Sequence, residues 1–220
     1  MSTSKQYFGD GGPAMRASAA RTKAAGGTAG AMPVGMTGGG RAAATAAGKA
    51  ATQASVATTA ATVTRYGLAT IRLLIGFEFL WAFGDKLFGW GMATAAEQAW
   101  VNGGSPTAGF LGGVEGPASG MFNAMAGNAV FDWLFMLGLL GIGLALILGI
   151  GMRIAAATGA LLLLLMWVAS WPIATNPFVD AHVIDAVVLV VLAAALAGNT
   201  LGLGRWWGEL SFVKRYPAFK

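Results

Sequence analysis

Four long apolar stretches dominate the pattern of hydrophobic and polar positions along the chain. They lie at residues 66–88, 130–150, 154–174 and 181–200. At a rise of ~1.5 Å per residue, each is long enough to cross a hydrocarbon core of ~30 Å. The last three stretches are separated by short turns, which favours antiparallel neighbours. The pattern therefore predicts an all-α fold, an integral membrane antiparallel four-helix bundle with a long outer loop and a low-complexity N-terminal arm.

The segments outside the apolar stretches divide the chain into three regions. Residues 1–65 are rich in Ala, Gly, Thr and Ser, and such a segment buries too little surface to offset the entropy of ordering. We predict a basic cytoplasmic arm at 1–65, disordered apart from weak helicity at 41–62. A transmembrane domain follows at 66–204, and a basic cytoplasmic tail at 205–220. The arm has no apolar signal-peptide core, so the first spanning helix is expected to direct insertion.

Basic residues alternate between the two sides that this arrangement creates. The arm carries seven Lys or Arg residues, the 89–129 loop carries none, the turn at 151–153 carries Arg153, and the tail carries four. Cytoplasmic segments of membrane proteins are enriched in Lys and Arg. We therefore expect a multi-pass protein of a prokaryotic plasma membrane, with both termini in the cytoplasm and the long loop outside. Loops of this length are often functional.

Composition narrows the classes of partner and chemistry. The chain is 56% hydrophobic and 10% charged, with a net charge of +5 concentrated in its two ends. Anionic lipid headgroups attract such ends, so we expect a lipid membrane and protein subunits as partners, and no nucleic acid. The chain has no Cys and one His. Disulfides, thiolate metal sites and iron–sulfur clusters are thereby excluded, and no metal is expected.

The first apolar stretch carries an unusual polar load. Glu78 is twelve residues into it, near mid-membrane, where an ionised carboxylate is costly unless it is paired or protonated. Glu78 is a proton carrier, a hydrogen-bond partner for a polar ligand headgroup, or a structural bond to another helix. Arg72, Phe79 and Lys86 recur at seven-residue spacing on one stripe. Arg72 either contacts a ligand or snorkels to the membrane surface.

The last apolar stretch opens with three polar groups. Asp180 is placed to cap the helix. His182 and Asp185 are three residues apart and hence on one face. A His–carboxylate pair can relay protons, although a lone His can equally be a structural hydrogen-bonding group. The residues predicted to handle protons are therefore Glu78, His182 and Asp185.

Small residues recur on the second stretch at four-residue spacing. They are Gly141, Ala145 and Gly149. Small residues let helix backbones approach closely in membranes. The spacing predicts that this stripe packs against another helix.

Two groups of motifs resemble a known family. The pattern R-x-x-x-G-x-x-F at 72–79, followed by GDKL at 84–87, resembles the first-helix signature of the DoxX/DoxD family. The segment NPF at 176–178, then His182, then AGNTLGLGRWW at 197–207 resembles the terminal part of DoxD-like proteins. The resemblance covers about residues 66–210.

This resemblance implies a membrane subunit of a quinone-linked oxidoreductase, with thiosulfate as a candidate electron donor. A non-covalently bound quinone would lie between the first and fourth helices. Glu78, His182 and Asp185 would be catalytic. The residues expected to contact the cofactor or an incoming anion are Arg72, Phe79, Trp81, Lys86 and Asn176.

The sequence also fits a second function of a different class. The chain would then be a non-catalytic accessory or assembly subunit that docks on a larger respiratory membrane complex. The small-residue stripe and the long loop favour this alternative. Whether the chain is an enzyme is left open between the two functions.

Overall fold

The computed structural model describes residues 37–173, 176 and 178–220. The described residues are mostly helical and contain no strand. Short 3-10 turns lie at Ala96–Gln98, Trp100–Asn102, Ala197–Asn199 and Pro217–Phe219. The disorder predicted for the arm falls, for residues 1–36, outside the described residues. In chain order the α-helices are α1 Thr37–Phe88, α2 Ala108–Gly112, α3 Ser119–Met125, α4 Ala129–Leu148, α5 Met152–Ala169, α6 Ala181–Ala194, α7 Gly204–Glu209 and α8 Ser211–Arg215.

Helix α1 begins well before the predicted start of the first span. It is helical from Thr37, so the weak helicity expected at 41–62 belongs to one continuous helix that crosses the boundary drawn at residue 65. Ala is frequent there, and Ala has the highest helix propensity. The contacts define two compact units, Met1–Lys49 and Ala50–Lys220, and only the second is described further. Every residue from 50 to 67 in this unit is exposed.

Three helices are long and apolar enough to cross a membrane. They are α1, α4 and α5. Helix α6 is apolar but has 14 residues, which corresponds to ~21 Å. The outward faces of α4 and α5 carry large exposed apolar side chains, such as Leu134, Leu137 and Leu161. These features indicate a multi-pass membrane protein.

One buried apolar cluster takes side chains from α1, α4, α5 and α6, among them Phe79, Leu146, Leu163 and Leu189. Two pairs of neighbours set the contact between α1 and α4. A Cβ atom added at Gly76 would lie 2.9 Å from the Leu146 Cβ, and one at Gly143 would lie 2.7 Å from Leu80 Cγ. These distances leave no room for a side chain, so the two helices meet through their glycines.

The predicted small-residue stripe is not the packing face. A Cβ atom added at Gly141 would meet nothing within 4 Å outside its own helix backbone, and Gly141 is exposed. Gly149 ends α4 in a left-handed conformation, with φ of 71°. The close contact to α1 is made by Gly143 instead. A four-residue repeat identifies a helix face, but it does not show which of several small-residue faces meets a neighbour.

The long loop folds against the ends of the helices. Val114 and Phe122 are buried together with Ala169 at the end of α5. Asp132, in the first turn of α4, is buried, and its Oδ1 accepts hydrogen bonds from Ser105 Oγ and from the amide and hydroxyl of Thr107. We call the side of the molecule that carries this loop the loop end, and the opposite side, with residues 195–220, the tail end. The hydrogen bonds to Asp132 thus hold Ser105 and Thr107 of the loop against the first turn of α4.

We expect Gly143→Leu to destabilise the protein by about 2 kcal/mol, because its side chain would overlap Leu80 on α1 and overpack the interface. Gly141→Leu is the matched control, since its side chain enters open space. Unfolding in detergent, followed by circular dichroism, measures both. Equal losses in the two variants would contradict this assignment of the α1–α4 interface.

The topology predicted from the basic residues can be tested at two exposed positions. Gly120 lies in the loop, Ser211 lies in the tail, and the chain has no Cys that would interfere. Gly120→Cys should react with an impermeant maleimide in intact cells, whereas Ser211→Cys should react only after the membrane is opened. Reaction of both from outside would rule out this orientation.

Candidate functional site

The most completely buried polar side chain of α1 is Arg72. It is 0% exposed, and its guanidinium donates hydrogen bonds to four backbone carbonyls. Two belong to Leu146 and Ile147 at the end of α4, and two belong to Thr200 and Leu201 in the tail-end turn. The last carbonyls of a helix have no partner within it and carry partial negative charge. Arg72 therefore caps α4 and joins it to the tail-end turn.

Glycines make this arrangement sterically feasible. A Cβ atom at Gly149 would lie 2.7 Å from the Arg72 Nη1, and one at Gly202 would lie 3.1 Å from the same nitrogen. Gly198 packs directly on the Gly149 backbone. Leu201 adopts a positive φ of 51°, which an L-residue rarely does. The glycine-rich motif at 197–207 thus forms a tight backbone turn around the guanidinium.

These contacts correct the expected role of Arg72. Its guanidinium neither extends to the membrane surface nor faces a ligand, because four backbone carbonyls hold it inside the protein. Phe79, on the same stripe, is 6% exposed and lies in the buried cluster. It is packed in the core and leaves no free face for a quinone ring. Both residues stabilise the contact of α1 with α4.

Lys86, the third member of the stripe, also faces α4. Its ammonium lies 5.9 Å from the centre of the Phe135 ring. The predicted stripe of Arg72, Phe79 and Lys86 is therefore one face of α1, but that face contacts α4. A ligand contact by Lys86 would lie in a groove beside α4, apart from the residues predicted to handle protons.

Those residues lie on two helices, Glu78 on α1 and both His182 and Asp185 on α6. Glu78 has an exposed side chain on α1, and its charge interacts with those of Asp185 and His182 on α6. Asp185 and His182 are half-buried, and their charges also interact. We call Glu78, His182 and Asp185 the α1–α6 polar cluster. Among the described residues, Glu78 forms no hydrogen bond with another side chain. The structural bond from Glu78 to another helix is therefore not observed in this part of the chain.

Asp180 holds His182 at the loop end of this cluster. Its carboxylate caps α6 by accepting from the Val183 amide, as predicted, and it pairs with His182 Nδ1 at 2.6 Å. Burial would raise the pKa of the Asp180 carboxyl. The hydrogen bonds from His182 and the Val183 amide act in the opposite direction and leave this pKa below its ordinary value. Asp180 thus fixes the imidazole ring through one of its two nitrogens.

Aromatic side chains lie next to the α1–α6 polar cluster. Trp81 is three residues from Glu78 and shares its face of α1. The Trp81 ring centre lies 5.9 Å from that of Phe77 and 4.9 Å from that of Trp90. Trp90 folds back onto α1 over Gly84, where a Cβ atom would overlap the indole ring. Trp81 is 41% exposed, so the structure leaves a face of this predicted cofactor residue accessible.

Asn176 has a local role at the turn before α6. Its Oδ1 accepts hydrogen bonds from the amides of Phe178 and Val179. Side chains of Asn commonly stabilise turns in this way. Asn176 thus has a turn-forming role, and its predicted contact with a cofactor stays a prediction.

The position of Glu78 in the bundle depends on how far α1 is shifted along α4. Gly76 is level with Leu146 and Leu80 is level with Gly143, so Glu78 lies beside the last third of α4. It is nearer the tail end of α4 than the middle of that helix. The sequence placed Glu78 by counting from the start of an apolar stretch, and this count ignores how far α1 is shifted along its neighbour.

Two carboxylates are buried that the sequence pattern did not predict to be buried. Asp132 forms the loop network, and Asp85 is 2% exposed with no hydrogen-bond partner for either oxygen among the described residues. The GDKL motif at 84–87 drew attention to it, but periodicity alone does not reveal that a carboxylate is buried.

Comparisons with known proteins do not extend these observations. No family model, curated protein or solved structure matches the chain. Within the described residues, no group of three or more His, Cys, Asp or Glu side chains could hold a metal ion.

We expect Arg72→Gln to lower stability by at least about 3 kcal/mol, because it leaves several buried carbonyls without their charged donor. Arg72→Lys keeps the charge but not the planar fork, so it should recover only part of the loss. Arg65→Gln, at an exposed position of the same helix, is the control. Thermal unfolding in detergent measures all three. An Arg72→Gln variant that unfolds like the parent protein would remove the capping role.

Proposed function

We propose that the chain is a membrane subunit of a quinone-linked oxidoreductase, built on an antiparallel bundle of α1, α4, α5 and α6. The observation that carries this proposal is the exposed Glu78 side chain within a spanning helix. A carboxylate that faces lipid is costly, so such a group is expected to be covered by a ligand or a partner. Thiosulfate as electron donor rests on the DoxX/DoxD resemblance alone.

The residues of the α1–α6 polar cluster fit a quinone headgroup. Carboxyl and imidazole groups can donate and accept protons at the two oxygens of such a ligand, and Trp81 offers an accessible aromatic face beside Glu78. A bound quinone would supply the electron-accepting chemistry. Arg72 and Phe79 do not take part, because both are buried in the protein.

The protein's own contribution would be to bind the headgroup and to move protons. Glu78 would hold a proton at its carboxyl group beside the ligand. Asp185 and His182, whose charges interact with that of Glu78, would pass protons toward the loop end. Asp180 would orient the imidazole by accepting from Nδ1, which leaves Nε2 for proton exchange.

A second candidate is the accessory-subunit function. It is favoured by α1, whose residues 50–67 are exposed throughout and extend the helix beyond the part that packs on α4. This stretch measures ~27 Å. A helix exposed on all sides offers a surface for another subunit of a membrane complex.

We expect Glu78→Gln to reduce quinone-dependent turnover at least about tenfold, because the amide keeps the size of the side chain but cannot exchange protons. Turnover would be measured in membranes with thiosulfate and a soluble quinone analogue. Glu97→Gln, at an exposed carboxylate in the loop, should leave turnover unchanged. Quinone content after gentle detergent extraction gives an independent reading of binding.

Two outcomes would decide against this function. If Glu78→Gln, at equal protein level, turns over like the parent protein, Glu78 is not a proton carrier. If the purified protein neither retains quinone nor binds the analogue, the accessory-subunit function is preferred. Co-purification of a larger complex that is lost on truncation of residues 2–60 would support that alternative.

A further inference from the structure

A long apolar groove runs along α4 and α5 and has no role in the proposed function. It encloses about 900 Å³. Its α4 wall includes the small residues Gly138, Gly141 and Ala145. They lie on a different surface of α4 from the one that meets α1 through Gly143. A Cβ atom at Gly138 or at Gly141 would meet nothing within 4 Å outside its own helix backbone. The groove is therefore deep because these two positions lack side chains.

The groove contains a cation and no carboxylate. Of the described side chains that line the groove, Lys86 is the charged one. The ammonium contacts the Phe135 ring and forms no ion pair with a described carboxylate. Asp85 interacts with it through charge only. Asp85 therefore supplies a counter-charge but accepts no hydrogen bond. The ammonium forms no hydrogen bond with a described acceptor, so its donors can bind an anion in the groove.

The dimensions of the groove suit a chain attached to that anion. From Phe135, beside Lys86, to Leu148, α4 extends roughly 20 Å, and Trp207 borders the groove at the tail end. One leaflet of the hydrocarbon core is about 15 Å thick. At the loop end, Phe110 and Phe122 line the groove. A polar head at Lys86 and an apolar chain along the small-residue wall would both be accommodated.

We propose that the α4–α5 groove binds one anionic phospholipid. Its phosphate pairs with the Lys86 ammonium, and one acyl chain lies along Gly138, Gly141 and Ala145. The single cation selects an anionic headgroup over a zwitterionic one, since the latter adds its own positive charge. A helix of a partner protein could use the same small residues, but it would not depend on the charge of residue 86.

The test compares two lipids with identical acyl chains. The delipidated protein is titrated with phosphatidylglycerol or phosphatidylcholine, and bound lipid is counted by native mass spectrometry. The parent protein should prefer phosphatidylglycerol about fivefold or more, as expected for one Lys that contributes about 1 kcal/mol. Lys86→Gln should abolish this preference, and Lys86→Arg should retain it. Inorganic phosphate should not compete, because it lacks the chain.

A second pair of variants tests the groove itself. Gly141→Leu fills the groove without touching the core and should reduce the binding of both lipids, whereas Gly120→Leu, at another open position, should not. Equal binding of the two lipids by the parent protein would overturn the proposal. So would an unchanged preference in Lys86→Gln, or a co-purifying protein that Gly141→Leu releases and Lys86→Gln does not. Quinone content and turnover are measured alongside, so failure here is distinct from failure of the proposed function.

Discussion

The contact of Arg72 with the carbonyls at the end of α4 and in the tail-end turn is the constraint on which the rest of the structure depends. A guanidinium inside an apolar protein needs acceptors, and a helix end needs donors, so each meets the other's requirement. The contact joins three segments that are far apart in sequence. It also requires bare backbone at Gly149 and Gly202, which explains a glycine-rich turn in a chain that is otherwise largely helical.

This constraint divides the functions of α1 between its faces. Arg72, Phe79 and Lys86 look toward α4, and two of the three are fully used in packing. The proposed chemistry would therefore take place on the neighbouring face of α1, where Glu78 and Trp81 are exposed. Because the α4 contact fixes the rotation of α1, it also fixes the direction in which Glu78 points. Arg72, on the face of α1 that packs against α4, thus helps to orient Glu78 on the exposed face.

Apolar periodicity was sufficient to predict α4 and α5 to within a few residues, as well as the Asp180 cap of α6. It also singled out Glu78, His182 and Asp185 as polar groups in apolar helices, and their joint role in proton transfer stays a prediction. It did not reveal the partners of Arg72 or the burial of Asp85, because these depend on the relative shift and rotation of helices. The early start of α1 and the early end of α6 were missed for a different reason. Alanine-rich sequence is helical without an apolar pattern, and the left-handed Leu196 has no local signal.

The shortness of α6 has a consequence for the surrounding bilayer. As the fourth helix of the proposed bundle, α6 at ~21 Å would fall short of a ~30 Å hydrocarbon core, and local thinning of the lipid relieves such hydrophobic mismatch. Thinning would be centred on the side of the molecule that carries Asp185 and His182. Water and headgroups would then reach these side chains more easily than residue counting along α6 suggests. In the proposed function, the bilayer next to α6 would then take part in the transfer of protons to and from these side chains.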